Sequence, residues 1–507
     1  MANNKLPTDI PVQLSSNQVR SVAIIGGGAS GSIVLDSLVQ EDHIKSITLF
    51  ERRQEFGGIW NFDPEVKKTP HDIIKPGFTH DKTDPQLQNP FNSHLSDKKR
   101  FIFQKRSTQE RFEETPSYKG IKTNVIQDVM TFSDLDKWEV PGITDPEKTV
   151  YVEGLVVRDY IDKYIQRNTG NEKVSVIKGT SVEDVERIHR EDAQEGEIDY
   201  QFKLTLRQPV NEEHEVWWQE VYDSVVVATG HYFVPYIPFV KGLETVQKLA
   251  PEIVHHAKYY RDRAHYKGDS VVVVGSRASG ADLSKYLADS ANNVYHSIRT
   301  LANTRVRTKK SNVTQKPLIK EFKILSKEGE KLNFKVIFED DSEVSNPDHI
   351  VYATGYQFSF PFLNRLLAEN GRDVTKEGAL IQNLYQHTFL IDEPLISFVG
   401  MPIDGISFRV FEYQAVLVAR YLAGKIALPT RADQKKWYAD RLDFKGLTRG
   451  FHTLGLEAPE YLKGLTELGY VDTTKVAVGR PFPVLTEENI RRVKEFGQKL
   501  VDNWDDR

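Results

Sequence analysis

Twice in this chain an apolar run breaks into a glycine turn and resumes as a helical pattern. Ser21-Val-Ala-Ile-Ile25 runs into Gly26-Gly-Gly28-Ala29-Ser30-Gly31 and then SIVLDSLVQ. Far downstream, DSVVVV from Asp269 runs into Gly275-Ser276-Arg277-Ala278-Ser279-Gly280 and then ADLSKYL. A strand that must turn sharply into a helix over such glycines belongs to a parallel α/β layer. Two copies in 507 residues predict two Rossmann-like domains rather than one oversized core.

The first turn is a complete GxGxxG. Gly26 permits the sharp bend, Gly28 lets a pyrophosphate approach the backbone, and Gly31 lets the helix lie close to its strand. The phosphates would rest on the free N–H groups and the positive end of that helix. A second strand over Ser46–Phe50 delivers Glu51 about 20 residues past Gly31, where a carboxylate accepts both hydroxyls of a ribose. The second turn is imperfect. Arg277 stands where the middle glycine belongs, and no acid closes the next strand, which reads Val294-Tyr-His-Ser297-Ile-Arg299. Ser297 and Arg299 in place of an acid favour a 2′-phosphate, which a guanidinium binds in bidentate fashion. Arg299 reads equally well as part of a solvated basic face, and that is the plainer reading of Arg305, Arg307, Lys309 and Lys310. The pair of turns predicts FAD on the first domain and NADPH on the second, metals on neither.

Other elements follow from periodicity and breakers. Val150–Ile165 predicts a helix. Val221–Thr229, 333–340 and Asp348–Tyr356 predict strands, and 484–507 predicts a charged amphipathic helix. The chain then divides into a flexible leader over 1–19, an FAD domain over 20–262 and 346–430, an NADPH domain over 263–345 inserted within it, and a helical extension over 431–507. Residues 61–117 form a long polar excursion, expected to cap a substrate channel or to build the contact of a homodimer.

Composition removes alternatives. The chain has no cysteine, so disulfide-reductase chemistry, thiolate nucleophiles and iron–sulfur clusters are excluded. Net charge is −5, which argues against nucleic acid as a partner. No apolar run approaches a membrane span, and the polar N-terminus is not a secretory signal. A cytoplasmic setting is expected.

Short segments in fixed order then resemble the class B flavoprotein monooxygenases, most closely flavin-containing monooxygenases of fungal type. They are GGGASG at 26–31, FERRQEFGGIW at 50–60, IKTN at 121–124, ATGHYFVP at 228–235, the second glycine turn, ATGY at 353–356, and Pro394 to Ala415. The family fingerprint FxGxxxHxxx[FY] survives only as His256 and Tyr260. The resemblance implies an NADPH- and O2-dependent monooxygenase that oxygenates a nucleophilic nitrogen or sulfur of a small molecule through a flavin C4a-hydroperoxide. It implies Asn124 as the active-site asparagine, with Thr123 beside it. It implies cofactor contacts at Arg52, Gly58, Ile59, Trp60, Val182, Ala228, Thr229, Gly230, Thr354, Gly355, Tyr356 and Gln414, and puts Glu412 close to the cofactors. Read from residue type alone, Asn124 is a turn cap and Tyr356 a core residue. His231, His255 and His256 read as ordinary hydrogen-bonding residues. A Baeyer–Villiger or amino-acid N-hydroxylating enzyme is the alternative, and a non-catalytic nucleotide-binding redox sensor the second.

Overall fold

The computed structural model describes residues 9–66, 84–92, 101–109, 112–194, 197–299, 308–329, 331–368 and 373–505. Its centre is a seven-stranded sheet. The five parallel strands run in the order Ile396–Phe398, Ser224–Val227, Ser21–Ile25, Ser46–Glu51, Val174–Lys178, and two short strands extend one edge. Val22, Ala23 and Ile24 are fully buried, as are Val225 to Val227, because helices cover one face of the sheet and the antiparallel strands Ser181–His189, Tyr200–Pro209 and His214–Tyr222 pack against the other. Helix Ala29–Val39 lies on one face, packed between helix Ser407–Leu422 and helix Gly154–Gln166.

A second, all-parallel sheet of five strands is inserted into the first. Its order is Val254–His256, His349–Tyr352, Ser270–Val274, Asn293–Ser297, Val313–Lys316. The second sheet therefore spans 254–352, wider than the expected 263–345. In particular His349–Tyr352, assigned by sequence to the returning FAD half, pairs with Ser270–Val274. Both crossings between the sheets meet where Val234–Pro235 pairs antiparallel with Tyr356–Gln357.

The expected flexible leader is tied down over its described part. Residues 1–8 lie outside the described set, but Pro11–Gln13 pairs with Ala427–Thr430, Val19 is fully buried, and Gln18 exchanges hydrogen bonds with the backbone of Ile198. The excursion also has structure at its described ends. Phe101–Lys105 forms the edge of a four-stranded antiparallel sheet. Asp63 accepts from the Thr115 N–H at 2.8 Å, and Asn89 donates to Asp184 at 2.9 Å. Arg305 and Arg307 lie outside the described residues.

The C-terminal extension is fastened by charge. Arg480, 4% exposed, reaches Asp36 on the first helix at 2.6 Å, Asp134 at 2.6 Å and Glu412 at 2.5 Å. Arg167 shares Asp36 and Asp134, and Arg409 shares Glu412, so three carboxylates meet three guanidiniums. Burial pushes the Asp134 carboxyl up, but the hydrogen bonds and charge of Arg480 and Arg167 outweigh it and hold the group well below the usual range. Removing one partner from such a node strands a buried charge at a cost of about 3–5 kcal/mol.

Among the described residues five histidines, His231, His256, His296, His387 and His452, are buried without an acid. Ile381 N–H donates to His452 Nε2 at 3.0 Å, so the His452 proton sits on Nδ1 and points to His387 Nδ1 at 3.1 Å. Desolvation lowers both, and it lowers His231 and His256 to about 3. These rings are neutral when folded and titrate near 6.5 when unfolded, so the unfolded state binds the extra protons on acidification. Stability should therefore be insensitive to these groups above pH 6.5 and fall below it, by about 1.4 kcal/mol per pH unit for each histidine. Urea unfolding at pH 7 and pH 5 measures this, and equal midpoints would refute it.

Candidate functional site

The two glycine turns have the same construction. A Cβ at Gly31 would stand 1.8 Å from the Gly26 carbonyl oxygen, and one at Gly280 would stand 1.9 Å from that of Gly275. Only hydrogen fits there. Gly26 (φ 111°) and Gly275 (φ 130°) also take a backbone conformation that side chains disfavour. Helices Ala29–Val39 and Ala278–Leu287 both start without a side-chain cap, leaving their first N–H groups for a ligand.

The middle positions differ for a reason the backbone reveals. Gly28 (φ −89°, ψ −164°) and Arg277 (φ −86°, ψ −172°) adopt the same extended N-cap conformation, open to any residue. Gly28 is thus required for space, not for its dihedral angles. The nearest atom to a Cβ there is the Gly58 Cα at 3.5 Å.

That space belongs to a cleft of about 1920 Å³, its open mouth included. It runs along the carboxyl ends of the parallel strands, where open α/β sheets bind ligands. Gly26, Gly28, Ala29, Ser30, Glu51, Arg52, Gly58, Ile59, Trp60, Val182, Ala228, Thr229 and Gly230 all line it. Glu51 is held in place by the N–H groups of Gly27 at 2.7 Å and Arg53 at 2.8 Å. Arg52 lies over the Phe233 ring at 4.1 Å and donates to the Phe112 carbonyl at 3.0 Å, and its burial lowers its pKa. A glycine-lined recess, an uncapped helix and a fixed carboxylate are the parts that a dinucleotide's pyrophosphate and ribose require.

Other expected residues are placed differently. Gly31 acts through packing and touches no cleft. Thr123 is fully buried, with Oγ1 accepting from Val152 N–H, while Asn124 is exposed on the bend that follows. Ser297 is fully buried and donates to the Pro317 carbonyl at 2.8 Å, so its hydroxyl faces the protein and not a phosphate. Thr354 donates to the Tyr236 carbonyl at 2.5 Å. Gln414 spends its amide on Gly400 N–H, Thr388 and Tyr461, reaching the cleft only through Gly400. Glu412 sits in the Arg480 node. Tyr356 is buried against the rings of Tyr232 and His256, and Tyr260 against Tyr118 and Tyr266. Ser276 is half-buried, Ala278, Ser279 and Arg299 are exposed, and Gly355 lies against the Arg449 guanidinium.

Several cleft residues escaped the sequence reading. Gly400 and Asp404 follow strand Ile396–Phe398, whose carboxyl end lies beside that of Ser224–Val227. Asp84, Phe112 and Glu113 bring the excursion to the cleft. His231, expected to be an ordinary hydrogen-bonding residue, lines it too, 5% exposed, and differs from that expectation because both ring nitrogens lack a partner among the described residues. The rule of strand ends would have found Gly400. Nothing local marks the others. Among the described residues no group of three or more His, Asp or Glu is placed to hold a metal, and no helix is long and apolar enough to cross a membrane.

Comparison with known proteins agrees with this geometry. A family model described as FAD-NAD(P)-binding matches residues 23–115, one described as pyridine nucleotide-disulphide oxidoreductase matches 219–380, and one described as flavin-binding monooxygenase-like matches 312–475. The chain is 25% identical to the flavin-containing monooxygenase ustF2 of Aspergillus flavus, over 92% of this chain and 94% of that one. It is 29% identical to the flavin-containing monooxygenase FMO GS-OX3 of Arabidopsis thaliana, over 97% and 93%. Among solved structures, the S-allyl-L-cysteine S-oxygenase of Allium sativum superposes with a TM-score of 0.70 at 24% identity, covering 96% of this chain and 93% of that one, a likeness of fold. This likeness, which runs through both turns and on into the C-terminal segment, is to flavin-containing monooxygenases, and the FAD-NAD(P)-binding and flavin-binding matches give FAD and NADPH as the cofactors.

Proposed function

We propose that the protein oxygenates a nucleophilic nitrogen or sulfur atom of a small molecule at the expense of NADPH and O2. The observation that carries this reading is the ion pair between Arg277 Nη1 and Asp404 Oδ2 at 2.8 Å. Arg277 belongs to the second glycine turn and Asp404 lines the first cleft. The two dinucleotide sites therefore open toward one another, as reduction of one cofactor by the other requires.

Bound FAD supplies the redox chemistry with O2, and the chain supplies position and dryness. Gly28, Ala29 and Ser30 receive the flavin dinucleotide's phosphates, Glu51 its ribose, and Val182 its adenine end. Gly58, Ile59 and Trp60 make room for the ring. Phe408, Phe411 and Met130 give the cleft apolar walls that exclude water, which would otherwise divert oxygen to hydrogen peroxide. His231, with its pKa lowered to about 3 by burial and the Arg449 charge, presents a neutral imidazole that neither adds charge nor supplies an acidic proton. Asn124 on its exposed bend offers an amide that donates without losing a proton.

The test is oxygen uptake by FAD-loaded protein with NADPH and either a small thioether or a tertiary amine. Sulfoxide or N-oxide formed in proportion to oxygen consumed is the expected result. Hydrogen peroxide alone with both probes, or insertion of oxygen into a cyclic ketone instead, overturns it. Asn124→Ala should keep the full FAD content and raise the share of oxygen released as peroxide about tenfold, since one donor to a developing charge is worth a factor of at least that size. Unchanged coupling removes Asn124 from the reaction. Arg299→Ala should raise the KM for NADPH about tenfold while leaving that for NADH nearly unchanged, and an equal effect on both would refute the 2′-phosphate contact.

A further inference from the structure

Arg277 occupies the one position of the second turn where the first keeps an empty space. The matching residue, Gly28, has no atom nearer than 3.5 Å to where a Cβ would stand. Arg277 leaves the same extended N-cap backbone, so its side chain starts at the uncapped N–H groups where a dinucleotide phosphate is received. In the structure it pairs with Asp404 at 2.8 Å.

The two partners differ in freedom. Asp404 is fixed at its base: it has a left-handed backbone (φ 54°), its carbonyl accepts from Gly455 N–H at 2.9 Å, and the neighbouring Ile403 pairs with the segment around Thr453. Among the described residues Arg277 pairs with Asp404 alone, and its side chain is 69% exposed, against 53% for Asp404. Among the described residues Arg449 also faces this place, with its guanidinium packed on Gly355 and its charge opposing that of Arg277. Arg277 is thus a mobile guanidinium with two anions within its range, one resident and one arriving.

We propose that Arg277 is a two-position residue. It pairs either with Asp404 or with a phosphate of the pyridine dinucleotide received at the second turn, so that Asp404 competes with the dinucleotide. The proposal rests on the second turn receiving NADPH and adds the reason why this chain tolerates an arginine in a glycine's place. It also means that occupation of the second turn is felt at the first cleft, which Asp404 lines.

The test is equilibrium titration of FAD-loaded protein with NADP+ at fixed ionic strength. Asp404→Asn preserves the left-handed backbone, which asparagine tolerates, and removes the competitor. It should tighten NADP+ about two- to fivefold, the scale of an exposed ion pair. Arg277→Gly restores the fingerprint but loses the phosphate contact, and should weaken NADP+ about fivefold or more. The double variant should match Arg277→Gly alone. If Asp404→Asn leaves the Kd unchanged or weakens it, the proposal fails. It fails equally if the tightening persists in the Arg277→Gly background, because Asp404 would then act as a general repulsive charge. Absence of NADP+ binding to the unsubstituted protein would overturn the dinucleotide reading itself, a result distinct from these.

Discussion

The contact on which this architecture depends is that of a helical glycine with the carbonyl oxygen of the glycine that opened the turn. Gly31 on Gly26 and Gly280 on Gly275 are the same contact made twice. It lets the first turn of each helix lie against its strand, and so aims a row of unsatisfied N–H groups over the strand's carboxyl end. Without that approach the helix would start farther out, and neither the recess at Gly28 nor the reach of Arg277 to Asp404 would exist. The remainder of the chain holds these two corners in place and fills the space between them.

Much of that filling is electrostatic. The residues after 431 add little to either parallel sheet, yet Arg480 ties them to the first helix through Asp36 and to helix Ser407–Leu422 through Glu412. Gln414 on that same helix fixes Gly400 at the cleft wall. The late segments therefore hold the cleft from behind without lining it. The excursion works from the opposite side, with Asp63 and Thr115 closing its base and Phe112 meeting Arg52.

What could be read from sequence was what is local. The glycine turns, the buried valine strands, the acid at 51 and the helix within 150–165 each leave a pattern a few residues long. What escaped is what depends on pairing. His349–Tyr352 has the same apolar run whichever sheet receives it, and nothing within its four residues says that Ser270–Val274 is its neighbour. Pro11–Gln13 looks like a loose leader because its partner lies more than 400 residues away. Ser297, Thr354 and Gln414 have polar side chains of the right type at plausible places, and only the fold shows that their hydrogen bonds are already taken by protein. Arg277 was legible as an anomaly, but its partner was not.

The pairing of Val234–Pro235 with Tyr356–Gln357 has a mechanical consequence. The inserted sheet joins the rest by two strands that are hydrogen-bonded to each other. Two independent tethers would let it swing and slide in several directions. A laced pair removes that freedom at the crossing, and Tyr118 on Asp282 and Lys285 on the Trp504 carbonyl tie helix Ala278–Leu287 to the rest at two further points, so the inserted sheet is held in one placement rather than hung from its connections.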